Sequence, residues 1–159
     1  MSKKDGKLPN PVNYSLWLLN YRPRSVKEMT LALKKRGFSS EVIDETVASL
    51  IRWGYIDDEQ YKNYVISKRK HNNPKGRNFI RQELREAGID CEYELEDLFT
   101  DEEEQELIAK LLNQWCRGGK TIQENKDRFY RRLYTRGFSA RNISEQIRLF
   151  EQISEKDSE

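Results

Sequence analysis

Apolar residues recur three and four positions apart along most of the chain, and no stretch alternates with the two-residue period of a strand. This helical rhythm is interrupted three times in the same way. The interruptions read Leu33-Lys-Lys-Arg-Gly37-Phe38-Ser39, Leu84-Arg-Glu-Ala-Gly88-Ile89-Asp90 and Leu133-Tyr-Thr-Arg-Gly137-Phe138-Ser139, with their glycines 51 and 49 residues apart. In each, a leucine sits in the last helical turn and a glycine supplies the left-handed backbone that closes a helix. A hydrophobic residue then folds back, and Ser or Asp is placed to cap the next helix. Recurrence at this period predicts one small helical unit used three times.

The elements follow from the same pattern. Tyr14, Trp17, Leu18 and Tyr21 keep helical spacing up to Pro23, and Ser25-Val-Lys-Glu28 is a capping box that opens the next helix. Met29, Ala32 and Leu33 form its apolar stripe. A helix over about 40–52 is expected to bury Ile43, Val47, Leu50 and Ile51 and to end at Gly54. Asp57-Asp58-Glu59 suits the positive end of a fourth helix, continued by Tyr61, Tyr64 and Val65. Asn72-Asn73-Pro74-Lys75-Gly76 breaks the chain, and Phe79, Ile80 and Leu84 follow. A helix near 91–99 rests on few apolar residues, Tyr93, Leu95, Leu98 and Phe99. Thr100-Asp-Glu-Glu103 is a second capping box, before the stripe Leu107, Ile108, Leu111, Leu112 and Trp115. Gly118-Gly119 separates it from Phe129, Tyr130 and Leu133, and Ile143, Ile147 and Phe150 carry the last helix. The expected organisation is a flexible segment over 1–12, three-helix repeats over 13–55, 56–100 and 101–153, and a polar tail over 154–159. A unit of about fifty residues is marginal alone. The predicted fold class is therefore all-α, three tandem three-helix repeats forming a short curved helical solenoid.

Composition agrees with thin helical layers. Of 159 residues, 36% are hydrophobic and 35% charged, against roughly 45–50% and about 25% in ordinary globular chains. No run approaches a membrane span and no signal-peptide pattern is present, so a soluble cytoplasmic protein with reduced thiols is expected. Cys91 and Cys116 are too few for a disulfide framework, and a single His makes a Cys/His metal site a poor reading. Asp57, Asp58 and Glu59 point about 100° apart on a helix and do not converge on one ion, so capping explains them better. His71 lacks a partner at useful spacing, and no phosphate-cradling glycine loop occurs. No active site is visible. The expectation is a non-enzyme without cofactor, metal, small-molecule substrate or membrane partner, with a monomer as the default state.

Net charge is only +2, but it is unevenly spread. Residues 62–85 hold eight Lys/Arg against Glu83, residues 86–109 hold eleven acids and no Lys or Arg, and residues 110–141 hold nine Lys/Arg against Glu124 and Asp127. Two basic patches result. Lys68, Arg69 and Lys70 end one helix, where cations also favour the negative end of its dipole, and Lys75, Arg77 and Arg81 follow. Arg128, Arg131 and Arg132, three and four apart, make one side of a later helix cationic, with Arg136 and Arg141 beyond. Solvated helix faces are the plain alternative. The functional reading is contact with a nucleic acid or nucleoprotein.

The ordered string Tyr21-Arg-Pro-Arg-Ser25-Val-Lys-Glu28, Leu33…Gly37-Phe38, Gly54-Tyr55-Ile56-Asp57-Asp58, Lys75-Gly76…Ile80-Arg-Gln-Glu-Leu84…Gly88-Ile89 closely resembles the RecX family of recombinase regulators. Phe129…Leu133…Arg136-Gly137-Phe138 looks like that family's third repeat, and the match runs from about residue 14 to 150. The resemblance implies three tandem three-helix repeats, no catalysis, and binding to the RecA recombinase, typically its filament on DNA. It further implies modulation, foremost inhibition, of RecA's ATP hydrolysis, strand exchange and coprotease activities, with direct DNA binding in some members. Two rivals remain at this point. One is a stand-alone DNA-binding helical module acting as a transcription regulator, against which a pI near 8.4 argues. The other is a scaffold that never meets nucleic acid.

Overall fold

The computed structural model describes residues 7–156. Among them are nine helices and no strand: α1 (Pro11–Tyr21), α2 (Val26–Arg36), α3 (Ser40–Arg52), α4 (Asp58–His71), α5 (Arg77–Glu86), α6 (Leu95–Leu98), α7 (Asp101–Cys116), α8 (Ile122–Thr135) and α9 (Ala140–Lys156). The chain is all-α. Of the segment expected to be flexible, residues 1–6 lie outside the described residues, as do 157–159 of the polar tail. Helix α1 starts before residue 13 because Asn10 caps it, its side-chain oxygen accepting from the Asn13 N–H at 3.1 Å, and Pro11 sets the first helical φ. At the other end, α9 runs on to Lys156. Ser154 lies inside this helix, its hydroxyl donating back to the Phe150 carbonyl at 3.0 Å.

The chain divides into two compact units, one reaching through Tyr64 and adding Arg85–Asp90, the other formed by Val65–Leu84 and the chain from Cys91 onward. In the first, α1, α2 and α3 pack together around Leu18, Met29, Leu33, Ile43, Val47, Leu50 and Ile56. Ser25 closes a complete capping box: its hydroxyl accepts from the Glu28 N–H at 3.1 Å, and the Glu28 carboxylate accepts from the Ser25 N–H at 3.2 Å. Asp57 Oδ1 accepts from the N–H groups of Glu59 and Gln60, whereas Asp58 Oδ1 accepts from the Val26 N–H at the start of α2. The adjacent acids thus serve two different helix starts. Gly54 turns the chain at φ +78°, leaving Tyr55 exposed and Ile56 buried. Ile51, expected inside, is 48% exposed; α3 is already filled on its inner face by Ile43, Val47 and Leu50. Trp17 and Tyr21 are also exposed.

In the second unit, α7, α8 and α9 pack mutually, burying Leu107, Ile108, Leu111, Leu112, Phe129, Leu133, Ile143 and Ile147. The helix expected over 91–99 is a single turn, α6, in which Leu95 is buried together with the following Phe99, while Tyr93 and Leu98 are exposed. Two glycines let backbones touch. The Gly76 N–H donates to the Arg136 carbonyl at 2.9 Å and the Asn78 N–H to the Gly137 carbonyl at 3.1 Å. Gly137 also ends the helix at φ +86°, so its lack of a side chain is used twice.

Candidate functional site

The first basic patch is largely turned inward. Arg69 is buried and gives a bidentate pair with Glu83, Nε and Nη2 each at 2.7 Å from a carboxylate oxygen. Arg77 is buried and ion-paired with Glu96 and Asp101, and its Nη2 lies 3.6 Å from Glu104. Arg81 donates to Glu96 and to Asn78, both at 2.9 Å. Lys70 donates to Glu103 and to the Leu98 carbonyl, each at 2.8 Å, and Lys68 is half-buried. Glu96, Asp101, Glu103 and Glu104 of the acidic band that follows this patch in sequence are therefore counter-charges of the chain's own cations. Lys75 is the member of the patch left without a carboxylate partner among the described residues.

These pairings depress two acids. The Asn142 amide, and after it the Arg77 guanidinium, holds the Asp101 carboxyl below its ordinary 3.8, and the Lys70 ammonium holds Glu103 below 4.5. A carboxyl with a lowered folded value binds its proton more readily in the unfolded chain. Its stabilisation is therefore complete above the ordinary value and is lost as pH falls through the lowered one. Urea midpoints of the protein should accordingly decline on acidification below about pH 4.5. An Asp101→Asn, Glu103→Gln double variant should show a shallower decline. An equally steep decline would mean that other carboxyls dominate the acid limb.

The second patch is exposed. Arg128, Arg131, Arg132 and Arg141 are open to solvent, and none of the first three pairs with a described carboxylate. Arg141 lies close enough to Asp101 to contribute to its lowered value. Helix α8 puts Arg132 and Arg136 on one side, against Trp115 of α7, with guanidinium carbons 4.1 and 5.8 Å from the ring centre. Arg136 donates to the Pro74 carbonyl at 3.2 Å, and Lys75 Nζ sits 4.5 Å from the Phe79 ring centre. Burial, then Arg136 and Arg69, pushes the Lys75 ammonium down; burial, then Arg132, does the same to Arg136. So Lys75 leaves its sequence neighbours and joins the end of α8. Sequence reasoning missed Trp115 and Phe79 as supports because helical spacing makes them indistinguishable from core residues. It also missed Glu104, buried among the helix starts.

No group of three or more His, Cys, Asp or Glu among the described residues is arranged to hold a metal ion, and none of their helices is long and apolar enough to cross a membrane. Burial raises the Cys116 thiol, the opposite of what a reactive thiolate needs.

A helical-repeat protein is the class this fold defines. The family model for the first three-helix domain of RecX matches residues 12–50. The regulatory protein RecX of Bacillus subtilis (strain 168) is 32% identical over 151 residues, 92% of this chain and 57% of the relative. That of Leuconostoc mesenteroides is 31% identical over 142 residues, 86% of this chain and 53% of the relative. The crystal structure of RecX from Lactobacillus salivarius superposes with a TM-score of 0.67 at 25% identity, covering 89% of this chain and 95% of that one. Over most of its length the chain is thus similar to regulatory proteins of the RecX family. It spans little more than half the length of these two curated relatives.

Proposed function

We propose that the protein binds the RecA recombinase, in the groove of its filament on DNA, and modulates the filament's ATP hydrolysis, strand exchange and coprotease activities, foremost by inhibition. The setting is DNA repair and the SOS response in the cytoplasm. Similarity to RecX regulatory proteins carries this reading. The exposed Arg128, Arg131 and Arg132 of α8 support it, because they have no described carboxylate to neutralise them and remain available to a polyanion or an acidic protein surface. The action is differential binding: a ligand shifts a filament between states only by its preference for one of them.

The test is RecA's single-strand-dependent ATP hydrolysis with the protein titrated in. A saturable fall in rate is expected; no change at several-fold excess over the binding constant removes the proposal. Affinity for naked DNA at two salt concentrations, with and without recombinase, separates a filament binder from a transcription regulator. Tight sequence-specific binding without recombinase would favour the latter.

A further inference from the structure

Three cations of the second unit form a chain of neighbours, Lys75 beside Arg136 and Arg136 beside Arg132. Lys75 comes from the loop between α4 and α5, Arg132 from the last turn of α8, and Arg136 from the residue that caps that helix. Trp115 lies under both guanidinium groups, Phe79 under the Lys75 ammonium, and the Arg136–Pro74 hydrogen bond ties the end of α8 to the lysine's loop. None of the three pairs with a described carboxylate, and Arg132 donates to no described acceptor, so its N–H edges are unspent. Arg69 is near enough to repel Lys75 but is neutralised by Glu83. Like charges at (i, i+4) on a helix oppose one another, and here a third cation is added from another element. Burial foremost, and neighbouring cations after it, lowers the proton affinities of Lys75 and Arg136, with Glu83 partly offsetting the effect at Lys75. Such a row is unfavourable in the free protein, and an anion beside Arg136 is attracted by that group and by its neighbours on either side.

We infer that Lys75, Arg132 and Arg136 form a seat for a phosphodiester of a nucleic-acid strand, held on a floor of Trp115 and Phe79. This deepens the proposed function by naming the chemistry of one contact, and it rests on that reading only for the filament as its setting. A strand is favoured over an acidic protein surface because Arg128 and Arg131 continue the cations along the same exposed helix. A nucleic-acid strand offers a negative charge about every 3.4 Å of its axis to match such a row. Planar guanidinium forks also suit phosphate oxygens.

The experiment measures affinity for a fluorescein-labelled oligothymidylate against salt concentration, for the whole chain and for Lys75→Gln, Arg132→Gln, Arg136→Gln and the triple variant. Each single substitution should reduce the magnitude of the log–log salt slope by about 0.7, and the triple variant by about 2. Since Arg136 also braces a loop, Arg136→Lys separates charge from packing: it should keep the full slope, and thermal melts verify that each variant is folded. An unchanged slope in the folded triple variant overturns the seat. So does a loss of binding confined to recombinase-coated strands, which would make the partner an acidic protein surface. Competition by inorganic phosphate with no change in the strand's salt slope overturns it as well, by assigning the site to a free anion. Failure of the recombinase reading is distinguishable, because the ATPase would be unaffected while the salt slopes still fell.

Discussion

Replacing Glu104 with alanine is expected to destabilise the fold by about 3–5 kcal/mol, the range found when one member of a buried polar pair is removed. Its side chain is fully buried and belongs to helix α7. It accepts from the Arg77 N–H at 2.9 Å, at the start of α5, from the Asn142 amide at 2.6 Å, and from the Ser139 N–H at 3.5 Å, just before α9. Arg77 and Asn142 are buried as well. Deleting the carboxylate would thus take the acceptor from the buried Arg77 N–H and from one N–H of the buried Asn142 amide, and each buried unsatisfied group costs on the order of 1–3 kcal/mol. Glu102, exposed on the same helix, is the control, and Glu102→Ala should stay within about 0.5 kcal/mol of the parent. Urea unfolding at neutral pH measures both. Equal midpoints for the two variants would show that Glu104 is not the tie it is taken to be.

The second large effect is expected at Gly137. A Cβ there would sit 2.4 Å from the Phe79 backbone nitrogen and 2.5 Å from the Phe79 Cβ, besides being forced to φ +86°. The left-handed conformation alone costs an alanine about 1–2 kcal/mol, and overlap with a backbone that cannot move aside adds about 1–3 kcal/mol. Gly137→Ala should therefore lose about 2–5 kcal/mol. Gly54→Ala isolates the first component: its φ is +78° and nothing lies within 4 Å of an added Cβ, so a loss near 1–2 kcal/mol is expected. Thermal or urea midpoints of the pair give the difference directly. If Gly54→Ala proved as damaging as Gly137→Ala, close backbone approach would not be the reason for the glycine at 137.

Most of the helices were legible because their signals are local. Ser25 with Glu28, and Thr100 with Glu103, announce helix starts within four residues, and both boxes form. Gly37, Gly88 and Gly137 lie at positive φ after the helices whose ends they were read to mark. What failed depended on partners far along the chain. The stretch from Tyr93 to Phe99 shares its apolar spacing with a helix, yet only one turn forms, and Glu96 is drawn to Arg77 and Arg81. The charge pattern had the same weakness. Counting cations by segment gave Lys70, Arg77 and Arg81 the same standing as Arg131, although the former meet acids 15 to 33 residues away. Lys75 and Arg136 are 61 positions apart in sequence and influence one another's neighbourhood only in the folded unit.

The hydrogen bonds from Gly76, Arg77 and Asn78 into the final helical trio have an evolutionary consequence. They cross the place near residue 100 where periodicity alone would divide one copy from the next. A truncation at that seam would leave Glu104 without Arg77 and the Gly137 turn without its neighbour, giving fragments open to proteolysis instead of smaller versions of the whole. A gene duplication that began or ended there would likewise have to supply both the glycine at 137 and the buried acid at 104 to close that joint again.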